Sequence, residues 1–244
     1  MHLLLSDHYD NDNKKMKLDF YFDVISPYTY FAFVILSRYR SFWNLDVSFK
    51  PFFLGGIMAG SNNTPPAYVP NRARFLAEDL KRNVAWIGLE GKFLYMPSNF
   101  FSPNVNKVTM ELNRFLCVVL ARGNLSEDAK WNLVSECFKF FWEDSANRNS
   151  DNEFVVENKV IETVCERAGL GDLVRYIPDV STEGKRVLTE NTSAALGLHA
   201  FGSPVLHFHQ NDPVIFFGSD RFEQIAFLLN LKWFGPRGPG TSRL

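Results

Sequence analysis

The sequence predicts an α/β fold in which a strand-helix-strand unit near the start and a strand-strand-helix unit near the end are separated by a long run of helices. Three observations predict it. Apolar and polar residues alternate over 17–22 and again over 47–50, the period of a half-buried strand, with helix-compatible sequence between them. From about 75 to 197 apolar residues instead recur three and four apart. Strand character then returns at Val205 and Val214, on either side of a polar turn.

In the first strand Leu18, Phe20 and Phe22 share one face, and Lys17, Asp19 and Tyr21 the other. Ser26-Pro27 breaks the pattern. Proline suits the first helical position because its missing N–H would be unpaired there, and serine is a favoured cap just before it. The Ser26 hydroxyl therefore sits at a helix N-terminus, where free N–H groups and the positive end of the dipole attract anions, a thiolate among them. The plain alternative is a cap and nothing more. The helix should end at 39–41, and Val47 and Phe49 alternate with Ser48 and Lys50 before Pro51 to give a second strand. A crossover of that length favours a parallel pair. Breakers from Gly55-Gly56 to Pro65-Pro66 then predict a long loop on the side of the sheet where ligands bind. Asn63, Arg72 and Arg74 are donors suited to a carboxylate there, or ordinary surface groups.

Leu76, Leu80, Val84 and Ile87 open the helical block. Leu112, Phe115, Leu116 and Val119 line the next helix, closed by Gly123, and Ser126 opens another carrying Trp131, Val134, Phe138 and Phe141. A fourth is expected over about 152–168, with Val156, Val160, Ile161 and Val164 inward and Gly169 as its stop, and a fifth after Ser181-Thr182-Glu183 up to Gly197. Aromatic residues at this spacing are core. Acidic stretches such as Glu143-Asp144 are solvated faces.

Gly202-Ser203-Pro204 leads into the third strand, residues 210–213 turn, and Val214 to Phe217 form the fourth, an antiparallel hairpin. A cis bond before Pro204 is compatible with its place at the strand start. Gly218-Ser219-Asp220 is expected to cap a closing helix in which Phe222, Ile225, Ala226 and Leu229 face the sheet. This order is that of a thioredoxin-like domain interrupted by an all-helical insertion. The division is a leader over 1–16, the thioredoxin-like domain over 17–68 and 198–234, the insertion over 69–197 and a flexible tail over 235–244. In such a topology the first strand-helix loop faces the proline entering the third strand. Ser26 and Ser203-Pro204 are then neighbours, the Ser203 backbone is offered to an extended peptide, and Ser219-Asp220 forms a second anion site along the same edge.

With 26 basic and 27 acidic side chains the formal net charge is -1, so no field steers the whole molecule to nucleic acid or membrane. No apolar run is long enough for a membrane span. Residues 1–15 are too acidic for a transit peptide and their Leu3-Leu4-Leu5 run too short for a signal, so they read as a disordered leader, with Met16 as a second possible start. Cys117, Cys137 and Cys165 are odd in number and widely spaced, which fits a reducing compartment and buried apolar roles. His207 and His209 alternate on one strand face with no cysteine or carboxylate at metal-ligand spacing, so no metal is expected. The ending Ser242-Arg243-Leu244 is similar to the serine-lysine-leucine peroxisomal address, presented on the glycine- and proline-rich stretch before it.

The stretches Phe22-Asp23-Val24-Ile25-Ser26-Pro27-Tyr28, Gly56-Ile57-Met58, Asn63 with Pro65-Pro66, Ala200-Phe201-Gly202-Ser203-Pro204 and Phe217-Gly218-Ser219-Asp220-Arg221 follow one another in the order of a known family. Over residues 17–234 the chain resembles the kappa class of glutathione transferases, related to DsbA-type disulfide oxidoreductases and to 2-hydroxychromene-2-carboxylate isomerases. The resemblance implies that Ser26 hydrogen-bonds the sulfur of glutathione, framed by Pro27 and Tyr28. It implies that Asn63 and Arg72 hold the glycine end, that the Ser203 backbone, beside Pro204, pairs with the cysteinyl unit, and that Ser219 and Asp220 fix the γ-glutamyl group. Two positions depart from the family pattern: Thr29, where serine is frequent, and Ser203, where an apolar residue is common. A disulfide oxidoreductase would need cysteine at 26, and serine stands there.

The expected activity is conjugation of glutathione, as co-substrate and with no permanently bound cofactor, to small apolar electrophiles, together with glutathione peroxidase action on lipid peroxides. Alternatives are a glutathione-dependent isomerase and a non-catalytic glutathione-binding or chaperone module. The resemblance implies a homodimer. The C-terminal tripeptide points to the peroxisomal import receptor, with mitochondrion or cytosol as alternatives.

Overall fold

The computed structural model describes residues 15–155, 159–210 and 213–240. Four strands, β1 (Met16–Phe22), β2 (Leu45–Pro51), β3 (Val205–Phe208) and β4 (Val214–Phe217), form one sheet in the order β2-β1-β3-β4. β1 runs parallel to β2 and antiparallel to β3, and β4 returns antiparallel to β3. The parallel pair is closed by helix α1 (Pro27–Tyr39), as the strand-helix-strand pattern requires. Helices α2 (Leu54–Gly60), α3 (Pro70–Ile87), α4 (Pro103–Arg122), α5 (Glu127–Trp142), α6 (Val160–Arg167) and α7 (Lys185–Gly197) lie between β2 and β3 in the chain, and α8 (Phe222–Leu228) follows the sheet.

The alternation in β1 sets the layers. Leu18, Phe20 and Phe22 are fully buried on the α1 side, where Phe22 and Phe33 both meet Phe138 of α5, ring centres 5.7 and 5.2 Å away. Phe49 of β2 meets Trp131 edge-on at 4.8 Å. One continuous apolar core thus joins the sheet, α1, α8 and α3–α6. On the opposite face a small second cluster of Tyr21, Phe52, Ile57, Ala195, Ala200 and Val205 packs α2 and α7 over one half of the sheet.

Four details differ from the sequence reading. The glycine-rich stretch after β2 is not all loop, for residues 54–60 are helical. A β-carbon on Gly60 would come within 2.6 Å of the Leu196 methyl, so this helix packs closely on α7 there and a larger residue would push the Leu196 side chain aside. Helix α6 starts at Val160 and not near 152, because Phe154 pairs with Arg148 in an isolated bridge; Val156 lies outside the described residues. The cap of α8 is Arg221, whose side chain makes no capping bond, so Gly218-Ser219-Asp220 forms the turn before the helix and does not cap it. Finally, residues 235–240, expected as a flexible stalk, are tied down. The Tyr39 hydroxyl donates to the Gly235 carbonyl at 2.8 Å, and Arg38 donates to the carbonyls of Pro236 and Ile87 at 2.8 and 2.7 Å. Arg237 donates to Ala85 at 2.8 Å, stacked over the left-handed Gly88 that ends α3. Residues 1–14 of the leader and the tripeptide Ser242-Arg243-Leu244 lie outside the described residues.

Candidate active site

At the end of β1 the chain turns through Asp23, Val24 and Ile25 into α1, with Ser26 as its N-cap and Pro27 in its first turn. The Ser26 hydroxyl oxygen accepts the Thr29 N–H at 3.3 Å, and its proton points at the Ser203 carbonyl 3.5 Å away. The second contact is long. Ser26 and Ser203 are both buried, and the Ser203-Pro204 peptide is cis. The structure therefore brings Ser26, Pro27, Ser203 and Pro204 together, across 177 residues of chain. The Ser203 N–H makes no hydrogen bond among the described residues, whereas the Pro204 carbonyl accepts from Gly218 N–H at 3.2 Å.

A polar network absent from the sequence reading lies behind Ser26. The Asp23 carboxylate is buried and accepts the Leu54 N–H at 2.8 Å, the Ile25 N–H at 3.1 Å and the Asn113 amide at 2.6 Å. The Asn113 side-chain oxygen accepts Val24 N–H in return. The Ser203 hydroxyl accepts Asp23 N–H at 3.3 Å and shares a 2.6 Å bond with the Thr29 hydroxyl. Loss of water outweighs these three donors and pushes the Asp23 carboxyl up to about 6. Two signals for the network were present in the sequence: a charge between Phe22 and Val24 in an apolar run, and an asparagine on the buried stripe of α4.

The remaining predicted residues surround this centre at greater distance. Tyr28 is half-buried and donates to Asp79 at 2.7 Å; burial, that bond, the Asp79 charge and then the Asp220 charge raise its pKa. Asp220 therefore stands near Tyr28, exposed and paired with Arg221 at 3.2 Å, while Ser219 beside it is buried. Asn63 spends its amide on the Phe201 carbonyl at 2.7 Å, two residues before Ser203. Arg72 is exposed on the first turn of α3 and makes no ion pair among the described residues. With Tyr28, Pro66, Asn71, Phe75 and Leu76 it lines a mainly apolar cavity of about 330 Å³. The cysteines are elsewhere: all three are buried, and burial pushes the Cys117 and Cys165 thiols up to about 12 and that of Cys137 upward as well.

A hydroxyl at a helix start, facing a backbone edge with an open N–H, can hold a sulfur anion and an extended peptide side by side. No thiol is placed to exchange disulfides there. The DsbA-like thioredoxin domain profile matches residues 17–230. Glutathione S-transferase kappa 1 of Rattus norvegicus is 32% identical over 229 residues, 91% of this chain and 94% of that protein. Its Homo sapiens counterpart is 31% identical, over 92% of this chain and 96% of that protein. Among solved structures, 2-hydroxychromene-2-carboxylate isomerase superimposes with a TM-score of 0.67 at 20% identity, covering 88% of this chain and 95% of that one.

Proposed function

Because the chain belongs to the kappa class of glutathione S-transferases, carried on a DsbA-like thioredoxin domain, we propose that it transfers the thiolate of glutathione to small apolar electrophiles with Ser26 holding the sulfur. The observation that carries the reading is the Ser26 hydroxyl at the N-cap of α1, set against the Ser203 carbonyl with only a 3.5 Å contact to lose. A free thiol has a pKa of about 8.5, so only a few per cent is ionised at neutral pH. A charge-assisted bond from Ser26 replaces a weak neutral one, and the helix N-terminus adds to it. Together they supply roughly 2 kcal/mol, which lowers the thiol pKa by about 1.5 units and raises thiolate from a few per cent to about half of the bound glutathione at neutral pH.

The tripeptide lies along Ser203, whose open N–H takes a backbone carbonyl of the cysteinyl unit. Ser219 and Asp220 take the γ-glutamyl group. Arg72, which makes no ion pair among the described residues and lies at the rim of the cavity beside Tyr28, takes the glycine carboxylate. Asn63 assists by fixing Phe201 and so the approach to Ser203, since its amide is already committed there. The cavity beyond Tyr28 is the space for the electrophile. A peroxide would react at the same sulfur, which attacks the outer oxygen, breaks the O–O bond and becomes a sulfenic acid as an alcohol leaves; the thiol of a second glutathione then attacks that sulfur, its hydroxyl leaves as water, and oxidised glutathione forms.

Turnover of an activated aryl halide tests this. Ser26→Ala should lose roughly thirtyfold in kcat/KM, the rate equivalent of 2 kcal/mol. The thiolate absorbance of bound glutathione should fall with it. An unchanged rate removes Ser26 from the role. Parallel assay of a chromene carboxylate with and without glutathione separates transfer from isomerisation, and tight glutathione binding with no turnover at all would favour a binding module. Two further parts of the proposal are a homodimer, read by light scattering, and peroxisomal import through Ser242-Arg243-Leu244, read by targeting of a fused reporter with and without Leu244.

A further inference from the structure

We propose that Asp19, His207 and His209 form a site for a divalent transition-metal ion of the Zn²⁺ or Cu²⁺ type, on the half of the sheet face that α7 leaves open. His207 is in β3 and His209 follows directly, so the two-residue period puts both rings on one face, with centres 4.3 Å apart. The carboxylate missing from their own strand comes from the neighbouring one. Asp19 of β1 stands directly opposite His207 in the antiparallel register, and its Oδ2 is 3.0 Å from Nε2 of His209.

One ligand atom from each of the three lies within 4.8 Å of the other two, and among the described residues no other such group of His, Cys, Asp or Glu occurs. Zinc–nitrogen and zinc–oxygen bonds of about 2.0–2.2 Å place neighbouring donors of a tetrahedral site roughly 3.3 Å apart. The Asp19–His209 pair is already at that spacing, and side-chain rotation alone brings in His207. The backbone is held in place, because Asp19 and His207 sit in paired strands and the His209 N–H donates to the Lys17 carbonyl at 3.0 Å. Two imidazoles and one carboxylate suit zinc, copper or nickel and are a poor set for calcium or magnesium, which take oxygen donors. His209 is 41% exposed, which leaves the outer coordination position to water or to a ligand from solvent.

The site is separate from the glutathione centre. Asp19 precedes Asp23 by four residues, about 13 Å of strand, and its side chain lies on the face away from α1. An ion bridging β1 and β3 would clamp the sheet without touching the transferase chemistry. The ordinary reading of the same contact is a surface ion pair between Asp19 and His209, and metal titration distinguishes the two. The full chain, stripped with a chelator, is titrated with Zn²⁺ in competition with a chromophoric chelator, alongside His209→Gln and Asp19→Asn. Each variant should bind at least about tenfold more weakly, while transferase turnover of His209→Gln matches wild type. Copper loading gives an independent readout: the nitrogen splitting in the electron paramagnetic spectrum should report two imidazoles in wild type and one in His209→Gln. Zn²⁺ affinity unchanged by His209→Gln, or no uptake by wild type, overturns the proposal. His209 is exposed and outside β3, so its variant should fold even if Asp19→Asn does not.

Discussion

At the start of α1 the hydroxyls of Thr29 and Ser203 touch at 2.6 Å. A hydroxyl at 203 in a buried site needs partners, and the Thr29 hydroxyl and the Asp23 N–H, which donates at 3.3 Å, supply them. The pair fixes the Ser203 backbone that faces Ser26. Thr29→Val keeps the shape and leaves the Ser203 hydroxyl short of one partner, costing roughly 1–2 kcal/mol. The double variant Thr29→Val/Ser203→Ala should cost less than the sum of the singles, with a coupling of about 1 kcal/mol in a urea-unfolding cycle. Additivity within about 0.3 kcal/mol would show the bond to be idle. The nearness of Ser26 to Ser203 was legible in the sequence, because strand order alone brings the first loop to the proline of β3. The Thr29–Ser203 bond was not, since hydroxyl pairing depends on side-chain placement that no periodicity encodes.

Asp23 acts between elements. Its carboxylate joins the end of β1 to the first turn of α2 through Leu54 and to α4 through Asn113. Helix α2 escaped the sequence reading for this reason: Gly55-Gly56 has poor helix propensity, no residue beside it caps the helix, and the group that receives its first N–H lies 31 residues upstream. Helix α5, by contrast, announces itself through Ser126, which accepts the N–H of Ala129 three residues on, and α4 through its apolar stripe, while its cap Ser102 went unread. Because burial holds Asp23 at about 6 against an ordinary 3.8, the folded protein binds this proton more tightly than the unfolded chain does. The stabilising contribution is complete below about pH 4 and is lost as pH rises through about 6, a change on the order of 3 kcal/mol. Urea unfolding of wild type and Asp23→Asn from pH 4 to 8 should show it as a difference in slope, with the variant flatter. Parallel curves would mean that Asp23 keeps the same affinity for its proton in both states.

At the scale of the molecule the helical block is no separate unit, since α3–α6 share one core with the sheet and the Trp142 indole of α5 donates to the Val24 carbonyl beside Ser26 at 2.9 Å. Composition announced enough apolar residues for a large core but could not say that it would be continuous. The segment 235–240 shows the same limit: glycine and proline content reads as a stalk, whereas Arg38, Tyr39 and Arg237 bond it to the far ends of α1 and α3. Arg38 is half-buried, and together with Arg237 it places positive charge on the carbonyl end of α3, where it is favourable. Removing residues 235–244 should therefore cost on the order of 3 kcal/mol, with the exposed Arg237 bonds contributing least. For a chain of this size that lowers Tm by roughly 6–12 °C. Transferase kcat/KM at 25 °C should stay at the wild-type value, because the thirteen residues of α1 put about 20 Å between Ser26 and the docked tail. A truncated protein with unchanged Tm would show the stretch to be the free stalk its composition suggests, and one with normal Tm but lost turnover would show that it reaches the active site after all.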